Sequence, residues 1–139
     1  MYKIIVDYNP LDSDKQKIRN GIVSFNEQAM NSQAESFSLF LKSSDDIIQG
    51  GILAWLHPES IYIDVLWIEQ NSRSQGYGSE LLKVAEQEGI KYGCLYSTLD
   101  TFSFQAEEFY LKNGYQRIGE IPNYLFEHSR IFLRKKLVP

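Results

Sequence analysis

The most constraining feature of the chain is a strand pattern followed by a glycine-containing turn, a helix pattern and a second strand pattern. Residues 61–68 are almost continuously apolar or aromatic, which predicts a central strand of a sheet. A helix is predicted from the turn to about Tyr92, with Gly93 as its C-terminal stop, and the next strand is predicted at residues 94–99. Such a strand–helix–strand unit predicts a right-handed crossover between parallel strands.

The remaining patterns predict a single mixed α/β domain over residues 1–139. Further strands are predicted at residues 3–8, 36–42, 47–56, 115–121 and 129–137, and further helices at residues 14–28 and 104–113. The early strands follow one another through short turns, so we expect them to pair antiparallel. The sequence therefore predicts an α/β fold with a mixed sheet of about six to seven strands and helices on both faces.

The turn itself has the pattern R-x-x-G-x-G, formed by Arg73, Gly76 and Gly78. The first N–H groups of a helix lack partners within the helix, and the helix dipole favours an anion at that end. Glycines allow close approach of a ligand to the backbone, and Arg73 could add a positive charge. Two interpretations fit this segment alone: a pyrophosphate-binding turn, and a turn that needs glycine only for its backbone geometry.

Composition narrows the range of partners. The chain has 139 residues, a net charge of −4 and a pI of about 5.2. The excess of acidic over basic residues disfavours nucleic-acid binding and favours cationic small molecules as partners. The single cysteine, Cys94, excludes an internal disulfide, and no apolar run reaches transmembrane length. We therefore expect a cytoplasmic protein with no nucleic-acid or membrane partner and no metal.

Two segments beside the turn make its pattern specific. Leu66-Trp67-Ile68 lies upstream, giving L-W-I-x-x-x-x-R-x-x-G-x-G, and residues 100–115 have the pattern D-[ST]-F-S-F-Q-A-x-x-F-Y-x-x-x-G-Y. Together these segments resemble the GNAT superfamily of acyl-CoA-dependent N-acyltransferases, and small bacterial members in particular. The resemblance is specific from about residue 61 to residue 115, and it is compatible by element order over the rest.

The resemblance implies that the ligand of the turn is acetyl-CoA. It implies a GNAT-like sheet splayed between its fourth and fifth strands, with pantetheine in the opening and backbone amides of the turn on the pyrophosphate. The cofactor-binding residues that it implies are Leu66, Trp67, Ile68, Arg73, Gln75, Gly76, Tyr77, Gly78, Ser79, Ser103, Ala106 and Phe109.

The resemblance also implies the chemistry of acetyl transfer to a primary amine. The amine must attack as a free base, although an alkyl ammonium has a pKa of about 10.4. Tyr110 matches the family's tyrosine and would be the general acid at sulfur; its alternative role is a core tyrosine beside Phe109. Asp64 and Glu69 are the candidate bases, each alternatively a solvated surface charge, and proximity alone could make a base unnecessary.

One position departs from the family pattern. Many members have an asparagine that contacts the cofactor three residues before the alanine matched by Ala106, and this chain has Ser103 there. The hydroxyl could cap the helix predicted at residues 104–113 or donate one hydrogen bond, but it cannot offer the paired donor and acceptor of an amide. Thr101 or Gln105 would then compensate.

The acceptor remains open within the class of small-molecule and peptide amines. We expect its specificity to lie at residues 25–35 and 123–130. The competing hypothesis is a non-catalytic coenzyme A-binding sensor or interaction module of the same fold. Unpaired sheet edges would also allow a homodimer.

Overall fold

The chain divides into two units, Met1–Gln33 and Ala34–Pro139, in the computed structural model, which describes all of residues 1–139. The first unit contains helix α1 (Asp12–Met30). The helix ends at Asn31, whose backbone has the left-handed conformation. The strand predicted at residues 3–8 is not formed, so that prediction was wrong. A strand needs a hydrogen-bonded neighbour, and an apolar sequence pattern cannot supply one. The single-domain prediction stays a prediction.

The second unit contains one sheet and two further helices. Its elements are β1 (Glu35–Lys42), β2 (Ile48–His57), β3 (Ser60–Ile68), α2 (Tyr77–Tyr92), β4 (Tyr96–Phe102), α3 (Glu107–Lys112), β5 (Gln116–Leu125) and β6 (His128–Lys136). The strand order is β1-β2-β3-β4-β6-β5, and only β3 and β4 pair in parallel. The predicted mixed α/β sheet is confirmed, with six strands. None of the helices is both long and apolar enough to cross a membrane.

The sheet opens between β3 and β4, which are the fourth and fifth strands of the prediction because the strand predicted at residues 3–8 is absent, so the predicted splay is confirmed. The two strands pair only from Ser60↔Tyr96 to Ile63↔Leu99, although both continue beyond that point. Past the last pair, β3 remains bonded to β2 and β4 remains bonded to β6. Because each separated strand is held on its outer side, the backbone groups along the inner edges are left facing the opening.

The core lies between the sheet and α2. On β3 and β4 the buried side chains alternate, and Leu81, Leu82 and Ala85 of α2 belong to the same apolar cluster as these strand residues. Alternation along a strand sends intervening side chains to the other face. Tyr62 and Asp100 therefore project away from the core that α2 covers.

The last two strands form a longer hairpin than the sequence pattern predicted. A loop was predicted around Pro122, but β5 continues through it to Leu125 and pairs with β6. Proline is tolerated because β5 is an edge strand, whose outer N–H groups need no partner in the sheet. The register shifts between Ile121 and Leu125, which accommodates the interruption.

Candidate active site

The glycine turn (residues 73–79) lies between β3 and α2 and directs backbone amides outward. The first turn-to-helix bond runs from Glu80 N–H to Gly76 O at 3.2 Å, so the amides of residues 77–79 precede the helical hydrogen bonds. Gly76 has φ of 85°, a conformation that L side chains rarely adopt. The arrangement presents several donors at the positive end of a 16-residue helix, which suits a phosphate group.

A cleft of about 710 Å³ extends from this turn along the part of β3 that no longer pairs with β4. Three segments line it: the end of β3, the glycine turn, and the segment that leads into and includes α3. Of the predicted site residues, the cleft brings together Leu66, Trp67, Ile68, Arg73, Gly76, Tyr77, Gly78, Ser79, Ala106, Phe109 and Tyr110. Gln75, Ser103, Asp64 and Glu69 are not among its lining residues.

The glycine turn at one end of the cleft and the strand edge at the other fit the two parts of an extended phosphorylated ligand. A Cβ added to Gly78 would lie 3.1 Å from the ring of Phe109, so a side chain there would crowd the cleft wall. Arg73 is oriented by its Nε, which donates to the carbonyl of Ile68 at 2.8 Å. The amides at one end and the free strand edges at the other match the pyrophosphate and the amide-bearing arm of coenzyme A.

Tyr110 lies at the inner end of the cleft, on α3, with only 8% of its surface exposed. Burial, together with the charge of Asp100, raises its pKa to about 12, so the hydroxyl keeps its proton at neutral pH. Its ring contacts Phe109 and Tyr115 edge to face. The hydroxyl of Tyr115 is engaged by Glu86 and Ser97, and Tyr115 does not line the cleft, whereas Tyr110 does, together with Tyr77 of the glycine turn.

The two candidate bases occupy different surroundings. Asp64 is exposed and lies at a β-bulge, because Ile63 and Val65 pair with consecutive residues of β2 and Asp64 has no partner there. It is also the first β3 residue beyond the parallel pairing with β4. Glu69 instead accepts a hydrogen bond from Gln70 N–H at 3.1 Å, so it begins the 3₁₀ turn Gln70–Ser72.

Of the polar residues predicted near α3, Ser103 bonds to β6 and Gln105 lines the cleft. The Ser103 hydroxyl accepts a hydrogen bond from Ser129 N–H at 3.0 Å and so ties the end of β4 to β6. Gln105 lines the cleft, and its Oε1 accepts from Phe102 N–H and from the Thr101 hydroxyl. Ser103 does not cap α3, whose first residue is preceded by Ala106.

Sequence reasoning missed a hydrogen-bonded chain on the other face of the sheet. Tyr62 Oη donates to Asp100 Oδ1 at 2.6 Å, and Arg130 Nε donates to Asp100 Oδ2 at 2.9 Å. Arg130 Nη1 also donates to the hydroxyl of Tyr124 at 2.9 Å. Asp100 opens the matched motif, but its partner on β3 lies 38 residues away, so no local pattern could reveal the pairing.

Comparison with known proteins gives one consistent result. The family model described as "Acetyltransferase (GNAT) family" matches residues 1–115. Among curated proteins, the blasticidin-S acetyltransferase of Streptomyces morookaense is 33% identical over 78 residues, which are 55% of this chain and 57% of that protein. The matched stretch therefore spans little more than half the length of that relative.

Solved structures match over most of the chain or nearly all of it. An acetyltransferase from Bacillus cereus ATCC 14579 is 32% identical, with a TM-score of 0.79 over 98% of this chain and 99% of that one. An aminoglycoside 6'-N-acetyltransferase complexed with coenzyme A is 20% identical, with a TM-score of 0.68 over 81% of this chain and 78% of that one. At that identity the second likeness concerns the fold alone.

Proposed function

The chain belongs to the acetyltransferase (GNAT) family, and from this premise we propose that it transfers an acetyl group from acetyl-CoA to a primary amine. One observation carries the proposal: a glycine turn at the start of a helix opens into a cleft that is lined by Tyr110 and by the part of β3 that has separated from β4. Phosphate-binding amides, free strand edges and a protonated hydroxyl thus follow one another along a single path.

The residues of the cleft would hold the cofactor in a defined order. The amides of residues 76–79 would bind the pyrophosphate, and Arg73 would add charge beside it. The inner edge of β3 near Leu66 and Ile68 would pair with the pantetheine amides. When bound, acetyl-CoA supplies a thioester whose acyl carbon an amine can attack. The aminoglycoside acetyltransferase that shares the fold was solved in complex with coenzyme A, which supports coenzyme A as the ligand of this cleft.

Tyr110 would act as the general acid that protonates the departing sulfur. Its pKa of about 12 keeps the proton available at neutral pH, and its position at the inner end of the cleft supports contact with a thioester there. Asp64, at the bulge beside the opening, is the better placed of the two candidate bases. Glu69 is occupied by the turn that it caps, so we give it no part in proton transfer.

The acceptor would be a small molecule with a primary amine. The relative named for blasticidin-S and the neighbour named for aminoglycosides support this class, since both names denote acetylation of small molecules. The net charge of the chain, −4 at pH 7, is consistent with a cationic acceptor.

Two measurements test the proposal. Calorimetry should detect binding of coenzyme A and acetyl-CoA, and coenzyme A should raise the melting temperature, because a ligand that binds only the folded state stabilises it. A panel of aminoglycosides, aminonucleosides, polyamines and amino acids is then incubated with acetyl-CoA while thiol release is followed. Binding with no acetylated amine would favour the non-catalytic module, and no binding would exclude both functions.

The role of Tyr110 is tested with Tyr110→Phe. We expect kcat to fall by about 10²-fold or more, since general acid catalysis typically contributes that much, while the Kd of acetyl-CoA stays unchanged. Tyr96→Phe is the matched control, because Tyr96 is a β4 tyrosine outside the cleft. Equal kcat values for wild type and Tyr110→Phe across the pH range would remove Tyr110 from the acid role.

A further inference from the structure

The hydrogen-bonded chain on the far face of the sheet begins where β3 and β4 separate. Ile63↔Leu99 is the last parallel pair, so Asp64 and Asp100 are the first residues past it on their strands. Tyr62 lies just before the same point and bonds to Asp100 across the two strands. Tyr62 and Asp100 therefore lie at the apex of the opening, on the face away from α2. Asp64 is close enough to Tyr62 for its charge to contribute to the raised pKa of Tyr62, of which burial is the largest cause.

The direction of the hydrogen bonds makes Tyr62 an acceptor. Arg130 donates to Oδ2 of Asp100 and fixes the carboxylate, while Oδ1 takes the hydroxyl proton of Tyr62. A hydroxyl has one proton and two lone pairs, so a tyrosine whose proton is committed presents only lone pairs to other groups. Tyr124 holds Arg130 from its other side, which stabilises this direction of donation.

The charge at the apex is negative. Asp64 and Asp100 contribute two carboxylates, and Arg130 contributes one guanidinium, which is already paired with Asp100. The carboxylate of Asp64 is exposed and takes part in no ion pair within the chain. A group that offers N–H donors and a positive charge matches both the lone pairs of Tyr62 and the carboxylate of Asp64.

Asp100 brings the apex close to Tyr110, although Tyr62, Asp64 and Asp100 do not line the cleft. Asp100 is near enough to Tyr110 to contribute to its raised pKa, although burial is the larger cause. Tyr110 belongs to the core beneath α2, whereas Tyr62 and Asp100 lie on the opposite face. An amine at Tyr62 and a thiol leaving toward Tyr110 would thus lie on opposite sides of the same opening.

We propose that Tyr62, held by Asp100, binds the N–H of the acceptor amine, and that Asp64 attracts its positive charge, so the acceptor is a cationic amine. This inference rests on the proposed function. Tyr62 and Asp64 contact the substrate, and Asp100 is a positioning residue that acts through Tyr62.

The test uses the best amine found in the panel. Tyr62→Phe is expected to raise the KM of the amine about tenfold, the loss of one hydrogen bond to a charged group, while the KM of acetyl-CoA stays constant. Asp100→Asn should give a similar change, and the double variant should be little worse than either single one, because both act through the same hydroxyl. Tyr96→Phe, a β4 tyrosine whose ring lies under Arg134, should leave both KM values unchanged.

Asp64→Asn supplies an independent test that does not depend on the buried network. The side chain is exposed, so its replacement should leave folding and coenzyme A binding intact. The KM of a cationic amine should rise several-fold at low salt, and the difference should shrink at high salt. If Tyr62→Phe and Asp100→Asn fail to bind coenzyme A, the KM of Asp64→Asn for the cationic amine decides whether the acceptor binds at the apex.

The outcomes separate this inference from the proposed function. If the wild type binds coenzyme A and acetylates an amine, but Tyr62→Phe and Asp64→Asn keep the wild-type KM for it, the acceptor site lies elsewhere and only this inference fails. If Tyr62→Phe raises both KM values equally, its role is structural and the inference also fails. If the wild type acetylates no amine, both proposals fall.

Discussion

At the residue scale, the two glycines of the turn have different physical requirements. Gly76 has φ of 85° and open space around it, so its backbone conformation is what requires glycine. Gly78 has no such φ, but an added Cβ would lie 3.1–3.2 Å from two ring atoms of Phe109. Phe109 lines the cleft, so the absence of a side chain at Gly78 keeps the proposed pyrophosphate end open.

Gly78→Ala should therefore weaken cofactor binding without unfolding the chain. Alanine favours a helix by up to about 1 kcal/mol over glycine, which offsets the shift forced on Phe109. We expect the Kd of coenzyme A, measured by calorimetry, to rise about tenfold, equivalent to about 1.4 kcal/mol.

Gly119→Ala is the matched control, because an added Cβ meets nothing within 4 Å at that position of β5. It should leave the Kd of coenzyme A unchanged. An unaltered Kd in Gly78→Ala would mean that the ligand does not approach the backbone at this turn.

At the element scale, one buried polar network joins α2 to the sheet. The Tyr115 hydroxyl lies 2.8 Å from Glu86 Oε2 and 2.7 Å from Ser97 Oγ, and Lys135 Nζ lies 2.8 Å from Glu86 Oε1. The network therefore contacts α2, β4 and β6 at once. Glu86 is 8% exposed, so its charge is compensated by these partners rather than by bulk water.

Tyr115→Phe should destabilise the fold without altering catalytic geometry directly. It removes the hydroxyl between Glu86 and Ser97 and leaves a buried carboxylate oxygen and a buried hydroxyl without that partner. We expect the free energy of unfolding, from urea denaturation, to fall by about 2 kcal/mol. Tyr96→Phe, whose ring contact with Arg134 does not need the hydroxyl, should change it by less than about 0.5 kcal/mol. Equal stability of wild type and Tyr115→Phe would contradict the importance of the network.

Most elements of the second unit follow from local sequence patterns, and the exceptions have identifiable causes. The helix after the glycine turn ends with Gly93 in the left-handed conformation, as its pattern predicted. Ser103 was predicted as a cap of α3, but Ala106 precedes that helix and no side chain caps it. The Ser103 hydroxyl instead accepts from Ser129 N–H on β6, 26 residues away, a partner that no local pattern could reveal.

At the scale of the whole molecule, tyrosine ionisation links stability to pH. Burial raises the pKa of Tyr62 and of Tyr110 to about 12, and it also raises the pKa of Tyr115. Unfolded tyrosine titrates at about 10, so between about pH 10 and 12 the folded state holds more protons than the unfolded one. The stabilising contribution is complete below about pH 10 and is lost as the pH rises through about 12.

The free energy of unfolding should consequently fall as the pH is raised above about 10, with a slope of up to about 1.4 kcal/mol per pH unit from a buried group such as Tyr110. Urea denaturation at several alkaline pH values measures this slope. Tyr110→Phe should show a shallower slope than the wild type, because one of the ionising groups is removed. Identical slopes would show that Tyr110 titrates alike in both states.

The sequence by itself determined the family, the crossover, the glycine turn and the tyrosine at the inner end of the cleft, since each depends on residues close together in the chain. Tertiary structure alone decided that residues 3–8 form no strand, at which residue pair the predicted separation of β3 and β4 begins, and that Tyr62 meets Asp100. The physical reason is that local patterns set backbone preference and burial, whereas strand pairing and hydrogen bonds between distant residues depend on which partners the folded chain brings within reach.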